Sequence, residues 1–185
     1  TLNANTISQA YSDTAANLVS AFTGISSHTG TIEVTGDAPT VAQANILDAV
    51  TAGVITATVE TDSATDLATL TGTGNAYTIT LANTEVATIA RLKTINDATT
   101  GTVTLNATTI AADFDDTAAN LNSAFTGITS HTGTLTLSAG AAAATIAQLK
   151  TINAATTGTV TLNANTISQA YSDTAANLVS AFTGI

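Results

Sequence analysis

The sequence repeats itself, and this repetition constrains the fold more than any other feature. Residues 1–25 and residues 161–185 carry the same 25 amino acids. A diverged copy of this segment runs from 101 to 128, and a second module begins IARLKTIN at Ile89 and IAQLKTIN at Ile146. Repetition of this kind is typical of proteins in which similar units stack against one another.

Each unit contains threonine alternating with aliphatic residues. In GTVTL, Val103 and Leu105 lie on one face of an extended chain, and Thr102 and Thr104 lie on the other. This alternation, in residues that favour strands, predicts a half-buried β-strand. The predicted strands open at Thr31, Thr56, Thr78, Thr102, Thr134 and Thr159, with one more around Thr1.

A short helix is predicted after each strand. Ile89, Leu92 and Ile95 form one apolar stripe, and the motifs TVAQ at Thr40 and TIAQ at Thr145 predict capping boxes at helix starts. Several glycines are expected to end helices in the left-handed conformation. They are Gly53, Gly72, Gly101, Gly158 and Gly184.

One strand and one helix per unit predict an α/β fold in which right-handed crossovers join parallel strands. We expect a right-handed strand–helix solenoid, with a parallel sheet on one side and a row of short helices on the other. It forms one continuous segment over residues 1–185, with about seven units and a super-repeat of 160 residues. The insertions NANTISQAYS and NATTIAADFD are expected to form a bulge or an extra turn at one rim. The geometry is similar to that of leucine-rich repeats, but the sequence shows no asparagine ladder of their kind.

The charge balance excludes several classes of partner. The chain has 3 Lys and Arg against 13 Asp and Glu, which gives a formal net charge of -10. Nucleic acids and anionic membrane surfaces need a basic face, so neither is an expected partner. The chain has no cysteine, which excludes disulfides and thiolate metal sites. No apolar run approaches the ~20 residues of a membrane span.

The segments LKTINAATTGTVTL and SDTAANLVSAFTG resemble the long repetitive regions of giant secreted or cell-surface bacterial proteins, those of cyanobacteria above all. The resemblance covers the whole chain. It implies an extracellular stalk, coat or fibre, and it brings no catalytic residues with it. Many relatives of that kind carry calcium-binding GGxGxD repeats, which this sequence lacks.

The threonines of the strands are predicted to share one exposed surface. Along a strand such residues recur every ~6.7 Å, and across strands every ~4.8 Å. The lattice resembles the Thr-x-Thr faces of ice-binding solenoids, although Glu33 interrupts it. A solvated strand face would be rich in threonine for its strand preference alone. The predicted surface consists of Thr56, Thr58, Thr78, Thr80, Thr102, Thr104, Thr134, Thr136, Thr159 and Thr161.

Two further groups of residues are candidates for chemistry. Asp113, Asp115 and Asp116 cluster before a predicted helix and are weak candidates for calcium, because that ion prefers carboxylate oxygens. Negative charge also favours a helix start without any metal, and Asp115 or Asp116 is a candidate helix cap. His28 and His131 occupy the matching loops SSHTG and TSHTG, so we interpret them as structural.

These features predict a structural or adhesive repeat segment of a long extracellular polymer, not an enzyme. No phosphate-binding loop of the GxxxxGK[ST] kind is present, and no cofactor is expected apart from the calcium alternative. The expected partners are like segments that stack end to end or side by side, and glycans or a cell surface. The alternatives are an ice-binding solenoid and a calcium-stabilised adhesin repeat.

Overall fold

Short helices and short strands alternate along the chain in the computed structural model, which describes residues 4–185. The helices in this range are α1 (Ala4–Ile7), α2 (Ala15–Ala21), α3 (Val41–Val50), α4 (Ala64–Leu67), α5 (Ile89–Asp97), α6 (Ala107–Ile110), α7 (Ala118–Phe125), α8 (Ile146–Ala155), α9 (Ala164–Ser168) and α10 (Ala175–Phe182). The strands are β1 (Tyr11–Asp13), β2 (Ile32–Val34), β3 (Ile55–Thr58), β4 (Ala76–Thr80), β5 (Val103–Thr104), β6 (Phe114–Asp116), β7 (Leu135–Leu137) and β8 (Val160–Thr161). The strand predicted around Thr1 lies outside the described residues.

The strands form two parallel sheets. The first contains β1 to β5 in chain order, and the second contains β6 to β8 in chain order. Each paired strand lies beside its neighbour in sequence, and every such pair is parallel. The α/β fold class predicted from the sequence, with parallel strands that alternate with helices, is therefore confirmed.

Alternation along the strands decides which side chains enter the core. In β3, Ile55 and Ala57 are buried, whereas Thr56 and Thr58 are exposed. Strand β2 and strands β4 to β8 also bury aliphatic or aromatic positions, so one face of each of these strands supplies the core. These buried residues are Ile32, Tyr77, Ile79, Val103, Phe114, Leu135, Leu137 and Val160.

The helices begin at hydroxyl caps and turn one apolar stripe inward. Thr40 Oγ1 accepts the backbone N–H of Gln43 at 3.2 Å, and Gln43 Oε1 accepts the backbone N–H of Thr40 at 3.0 Å. The predicted capping box is thus confirmed, and the same box is present at Thr145. Leu92 and Ile95 of the predicted stripe are fully buried. Helices pack against their neighbours in the pairs α2–α3, α4–α5, α5–α7, α7–α8 and α8–α10.

The insertions contain more regular structure than their sequence predicts. NATTIAADFD forms the single-turn helix α6 and then leads into strand β6, which pairs with β7. The extra turn was expected, but the strand was not. Within residues 4–185 no ladder joins β5 to β6, so the sheet breaks at this insertion.

Three of the glycines expected to end helices have a different role. Gly184 has a positive φ angle of 81° directly after the C-cap of α10, as predicted. Gly72 has a positive φ angle of 76°, but it lies beyond the C-cap Ala68 of α4 and does not end that helix. Gly53, Gly101 and Gly158 lack a positive φ angle, so the prediction is wrong for them. A Cβ atom on Gly53 would lie 2.2 Å from the carbonyl oxygen of Gly30, and the other two glycines face a backbone carbonyl as closely. Glycine is required at these positions because two backbones approach each other.

Candidate functional site

The threonine surface predicted from the sequence lies on the outside of the strands. None of its ten members is buried: Thr80, Thr134 and Thr136 are partly covered, and the other seven are exposed. Thr58 stands directly opposite Thr78, and Thr136 stands opposite Thr161. Hydroxyl and methyl groups therefore form short columns across neighbouring strands, ~4.8 Å apart.

These columns are shorter than the sequence suggests. Thr56 pairs with Ala76 on one side and with Glu33 on the other, so its column contains no second threonine. The Glu33 carboxylate also accepts a hydrogen bond from Ser12 Oγ at 3.1 Å. Because the sheet breaks between β5 and β6 as well, the surface consists of separate patches.

The three carboxylates proposed for calcium bind different partners. Asp113 Oδ1 accepts the backbone N–H of Thr134 at 2.6 Å, and Asp115 Oδ1 accepts the hydroxyl of Ser138 at 2.6 Å. Asp116, the last residue of β6, accepts the backbone N–H of Thr117 at the start of helix α7. Among residues 4–185 no group of three or more His, Cys, Asp or Glu side chains is placed to hold a metal ion. The structure thus does not bring these carboxylates together into a cation site.

Asp116 belongs to a motif that occurs three times. Its Oδ1 accepts the backbone N–H of Thr117 at 2.7 Å and the side-chain amide of Asn120 at 2.8 Å. Thr117 is the helix cap, so the assignment of the cap to Asp115 or Asp116 is wrong. Asp13 and Asp173 make the equivalent contacts, in which an asparagine side chain and the next backbone N–H lower the pKa of each carboxyl. The motif links the aspartate before each helix to the backbone and the side chain of the first helical turn.

The two histidines lie in equivalent, buried places. His28 and His131 are 1% and 0% exposed. The Nε2 atom of His28 is 2.9 Å from the carbonyl oxygen of Gln9, and that of His131 is 2.9 Å from the carbonyl oxygen of Ala112. Because a carbonyl only accepts, each Nε2 carries the hydrogen. Each ring thereby links the loop before its strand, β2 or β7, to the insertion that lies earlier in the chain.

The surroundings of the two imidazoles differ at Nδ1. His28 Nδ1 lies 3.0 Å from Thr51 Oγ1, whereas His131 Nδ1 is buried without a hydrogen-bond partner. Aromatic rings flank both histidines, and those beside His131 belong to Phe114 and Phe125. Burial lowers the pKa of His131, which the bond to Ala112 and the charge of Asp113 offset in part.

Asparagine side chains connect neighbouring units, which the sequence analysis missed. Asn106 Nδ2 donates to the carbonyl oxygens of Ala82 and Glu85 at 2.7 and 2.9 Å, and Asn163 makes the equivalent contacts 57 positions later, with Ser138 and Ala141. Asn106 and Asn163 are buried. Two equivalent asparagines thus connect units by bonding to backbone carbonyl oxygens. The recurring TLNA motif, which contains both asparagines, was the sequence signal that could have predicted these contacts.

Two equivalent grooves open beside the insertions. One, of about 540 Å³, lies between residues 86–90 and residues 113–116. The other, of about 560 Å³, lies between residues 143–147 and residues 169–173. Each has the start of a long helix on one side and an insertion on the other. The acidic residues of the first groove are mostly replaced in the second, so the grooves share a shape but not a charge.

Comparison with known proteins gives no family for this chain. No family model, no curated protein and no solved structure matches it. Over residues 4–185 the helices are all too short or too polar to cross a membrane.

Proposed function

We propose that this chain is a segment of a right-handed strand–helix solenoid with a structural role in an extracellular fibre, stalk or surface coat. One observation carries the proposal: within residues 4–185 every ladder is parallel and joins two strands that are neighbours in sequence. This order lets units be added without a change in any existing contact. The identity of residues 1–25 and 161–185 supports the same conclusion, because a further repeat can follow in the same register.

The contacts between units suit a mechanical role. Backbone ladders, buried asparagines and glycines at close approaches join neighbouring units, with a break in the ladder between β5 and β6. Thr156 shows this linkage in one side chain, since its Oγ1 donates to the carbonyl oxygen of Gly133 at 2.8 Å and accepts the N–H of Gly158 at 2.9 Å. Load along the axis is then shared among many hydrogen bonds.

The surface chemistry supports an adhesive contribution. Exposed threonine hydroxyls offer weak, multivalent contacts to glycans or to neighbouring filaments. The net charge of -10 keeps dissolved chains apart and excludes nucleic acid as a natural partner. Both properties fit an extracellular location, and like segments remain the principal proposed partner.

The experiment that tests the structural role compares two lengths of the same repeat. A chain in which residues 1–160 precede the full 185-residue sequence should show, by small-angle X-ray scattering, a greater length with an unchanged cross-section. A solenoid grows in one dimension because each unit contacts only its neighbours. A particle whose cross-section grows with the added repeat would refute the proposal.

Ice binding is the second candidate, and the outward threonine columns are the observation in its favour. Thr58 faces Thr78, and Thr80 faces Thr104, so two columns run side by side across β4. Thermal hysteresis measured on the chain and on Thr104→Lys tests this function. Hysteresis that disappears in the variant supports ice binding, and no hysteresis in the unaltered chain excludes it.

A further inference from the structure

The groove of about 540 Å³ beside strand β6 has walls that belong to two successive units. One wall is residues 86–90, which lead into helix α5, and the other is residues 113–116, which contain β6 and lead into helix α7. Helix α7 packs against α5 of the preceding unit and against α8 of the following unit. Because β7 belongs to the following unit, the groove lies on the side of β6 that faces away from β7.

The edge of β6 on this side has no partner strand. The N–H of Phe114 donates to the carbonyl oxygen of Thr134 at 2.9 Å, and the carbonyl oxygen of Asp116 accepts the N–H of Ser138 at 3.0 Å, so these two strand residues bond toward β7. Successive residues of a strand turn their backbone groups to opposite sides, so the N–H and C=O of Asp115 point away from β7. Among residues 4–185 no ladder reaches this edge. An unpaired edge of this kind is a template for an extended peptide.

The groove combines an apolar floor with an acidic rim. Phe114 and Ile89 are buried at its base, and Val86 is 47% exposed along one wall. Asp113 and Asp115 are exposed and, because side chains alternate along an extended chain, they lie on the side opposite to Phe114. These surfaces match an extended segment in which apolar and cationic side chains alternate.

The negative charge of this groove is not neutralised within the part of the chain that the structure describes. Each of its three carboxylates accepts hydrogen bonds from neutral N–H or O–H groups through Oδ1. The basic residues are engaged elsewhere: Arg91 and Lys93 pair with Glu85 and Asp97, and Lys150 donates to Asn177. A cationic partner therefore meets these carboxylates without a competing ion pair, which is the complementarity that selects a partner.

We infer that this groove binds an extended segment of a basic partner protein, which adds a strand to the free edge of β6 and places a lysine beside Asp113 and Asp115. Backbone bonds to Asp115 provide affinity, and the alternate apolar side chains of the segment cover Phe114 and Val86. The inference goes beyond the structural role proposed above, because it needs only β6 and the start of α5. A groove that binds no peptide leaves the solenoid untouched.

The second groove, between residues 143–147 and residues 169–173, provides an internal comparison. It has nearly the same volume, about 560 Å³. Ala170 and Ser172 replace Asp113 and Asp115 there, and Asp173 alone keeps its carboxylate. The first groove is therefore expected to bind a cationic peptide in preference to the second.

The test follows the fluorescence anisotropy of a fluorescein-labelled peptide, TVKVTVK, with the full chain at low salt. We expect saturable binding of one peptide per chain that weakens as salt is added, because exposed charges are screened. A peptide with glutamine in place of both lysines, and one whose backbone amides are all N-methylated, should each bind at least about tenfold more weakly. Equal binding by either peptide, or no binding of TVKVTVK, overturns the inference.

Two variants of the chain locate the site. Asp113→Ala with Asp115→Ser gives the first groove the residues of the second, which this fold already accommodates, and should weaken binding about tenfold. Ala170→Asp with Ser172→Asp makes the reverse change and should raise the number of bound peptides from one to two. Circular dichroism verifies that both variants are folded.

A charge-matched control separates the groove from the acidity of the whole chain. Asp37→Ala with Glu60→Ser removes the same charge from exposed positions outside the groove and should leave the affinity unchanged. An equal loss of affinity in this control and in the Asp113 variant would reveal attraction by net charge and overturn the inference. One bound peptide per chain in the Ala170 variant would overturn it as well.

Discussion

Asn96 and Ser123 join two neighbouring helices through a 2.8 Å hydrogen bond from the side-chain amide to the backbone carbonyl oxygen. The second amide hydrogen of Asn96 binds the carbonyl of Thr126. One side chain thus satisfies two carbonyls near the end of α7, where helical partners run out. Because this contact joins two helices, it stabilises their packing against each other more than it stabilises either helix by itself.

We expect Asn96→Ala to lower the free energy of unfolding by about 1–3 kcal/mol, because the Ser123 and Thr126 carbonyls lose their donor. Urea unfolding followed by circular dichroism measures the change. Ala90→Ser, on an exposed position of the same helix, serves as the control and should change stability by less than about 0.5 kcal/mol. Equal stability of the Asn96 variant and the unaltered chain would contradict the role given to this contact.

The stability of the fold should fall as the solution is acidified from pH 8 to pH 5. Burial lowers the pKa of His131 below 6.5, so the unfolded chain binds the proton more readily than the folded chain. The stabilisation is complete above the unfolded pKa and is lost as the pH falls from that value through the lower pKa of the folded chain. The window stays above the range where carboxylates titrate, at about 4. Melting midpoints across this window measure the effect.

His131→Asn should flatten this pH dependence, and Asn is a suitable replacement because Asn75 occupies the corresponding bridge position opposite Thr99. His28→Asn is the matched structural comparison, because it removes the other ring of the equivalent pair and leaves His131 in place. If the melting midpoint of His131→Asn changed with pH as steeply as that of the unaltered chain, another group would be responsible for the pH dependence.

Gly53→Ala should destabilise the chain by about 3 kcal/mol or more, because the added Cβ overlaps the Gly30 carbonyl and forces two backbones apart. Gly74→Ala is the informative control. Gly74 has a φ of 80° and open space around its Cβ position, so only left-handed strain is added, about 1 kcal/mol. Thermal and urea unfolding distinguish the two. A smaller loss at Gly53 than at Gly74 would contradict the close approach of the backbones.

Asp116→Ala should lower the free energy of unfolding by about 1–2 kcal/mol, because the Thr117 N–H and the Asn120 amide lose their acceptor. Calcium or a chelator should leave the melting midpoint of the unaltered chain where it is, since Asp113, Asp115 and Asp116 bind separate partners. Asp115→Ala, which removes one exposed hydrogen bond, should cost less than Asp116→Ala. A midpoint that rises with calcium would restore the adhesin alternative.

Local patterns predicted the elements whose information lies within a few residues. Alternation in ITATV placed β3, and the Thr40 motif placed the start of α3. Strand β6 was missed because FDD has one apolar residue and no alternation. Its extended conformation depends on the pairing of Phe114 with Leu135, which is 21 residues away in sequence. A short strand of this kind is specified by its neighbour and not by its own residues.

The contacts between units could not be predicted from local sequence patterns for a similar reason. Asn96 lies in a helix in which asparagine has no local role, and its acceptors are in a different helix. Gly53 follows a helix and was therefore interpreted as a helix end, whereas the approach of Gly30 decides its function. The threonine surface was located correctly on the outside, but its columns depend on register, which placed Thr56 opposite Ala76.

The insertion that contains α6 has a consequence for curvature. From β4 to β6 the chain advances by two strands, whereas the packed helices advance by one, from α5 to α7. Paired strands are spaced ~4.8 Å apart and packed helices ~8–10 Å apart, so two strand positions take about the same length as one helix position, although no ladder joins β5 to β6. In the solenoid proposed above, units with one strand per helix should bend the filament toward its strands, and each insertion should straighten it. The interval between insertions would then determine how far a long filament of these repeats arcs.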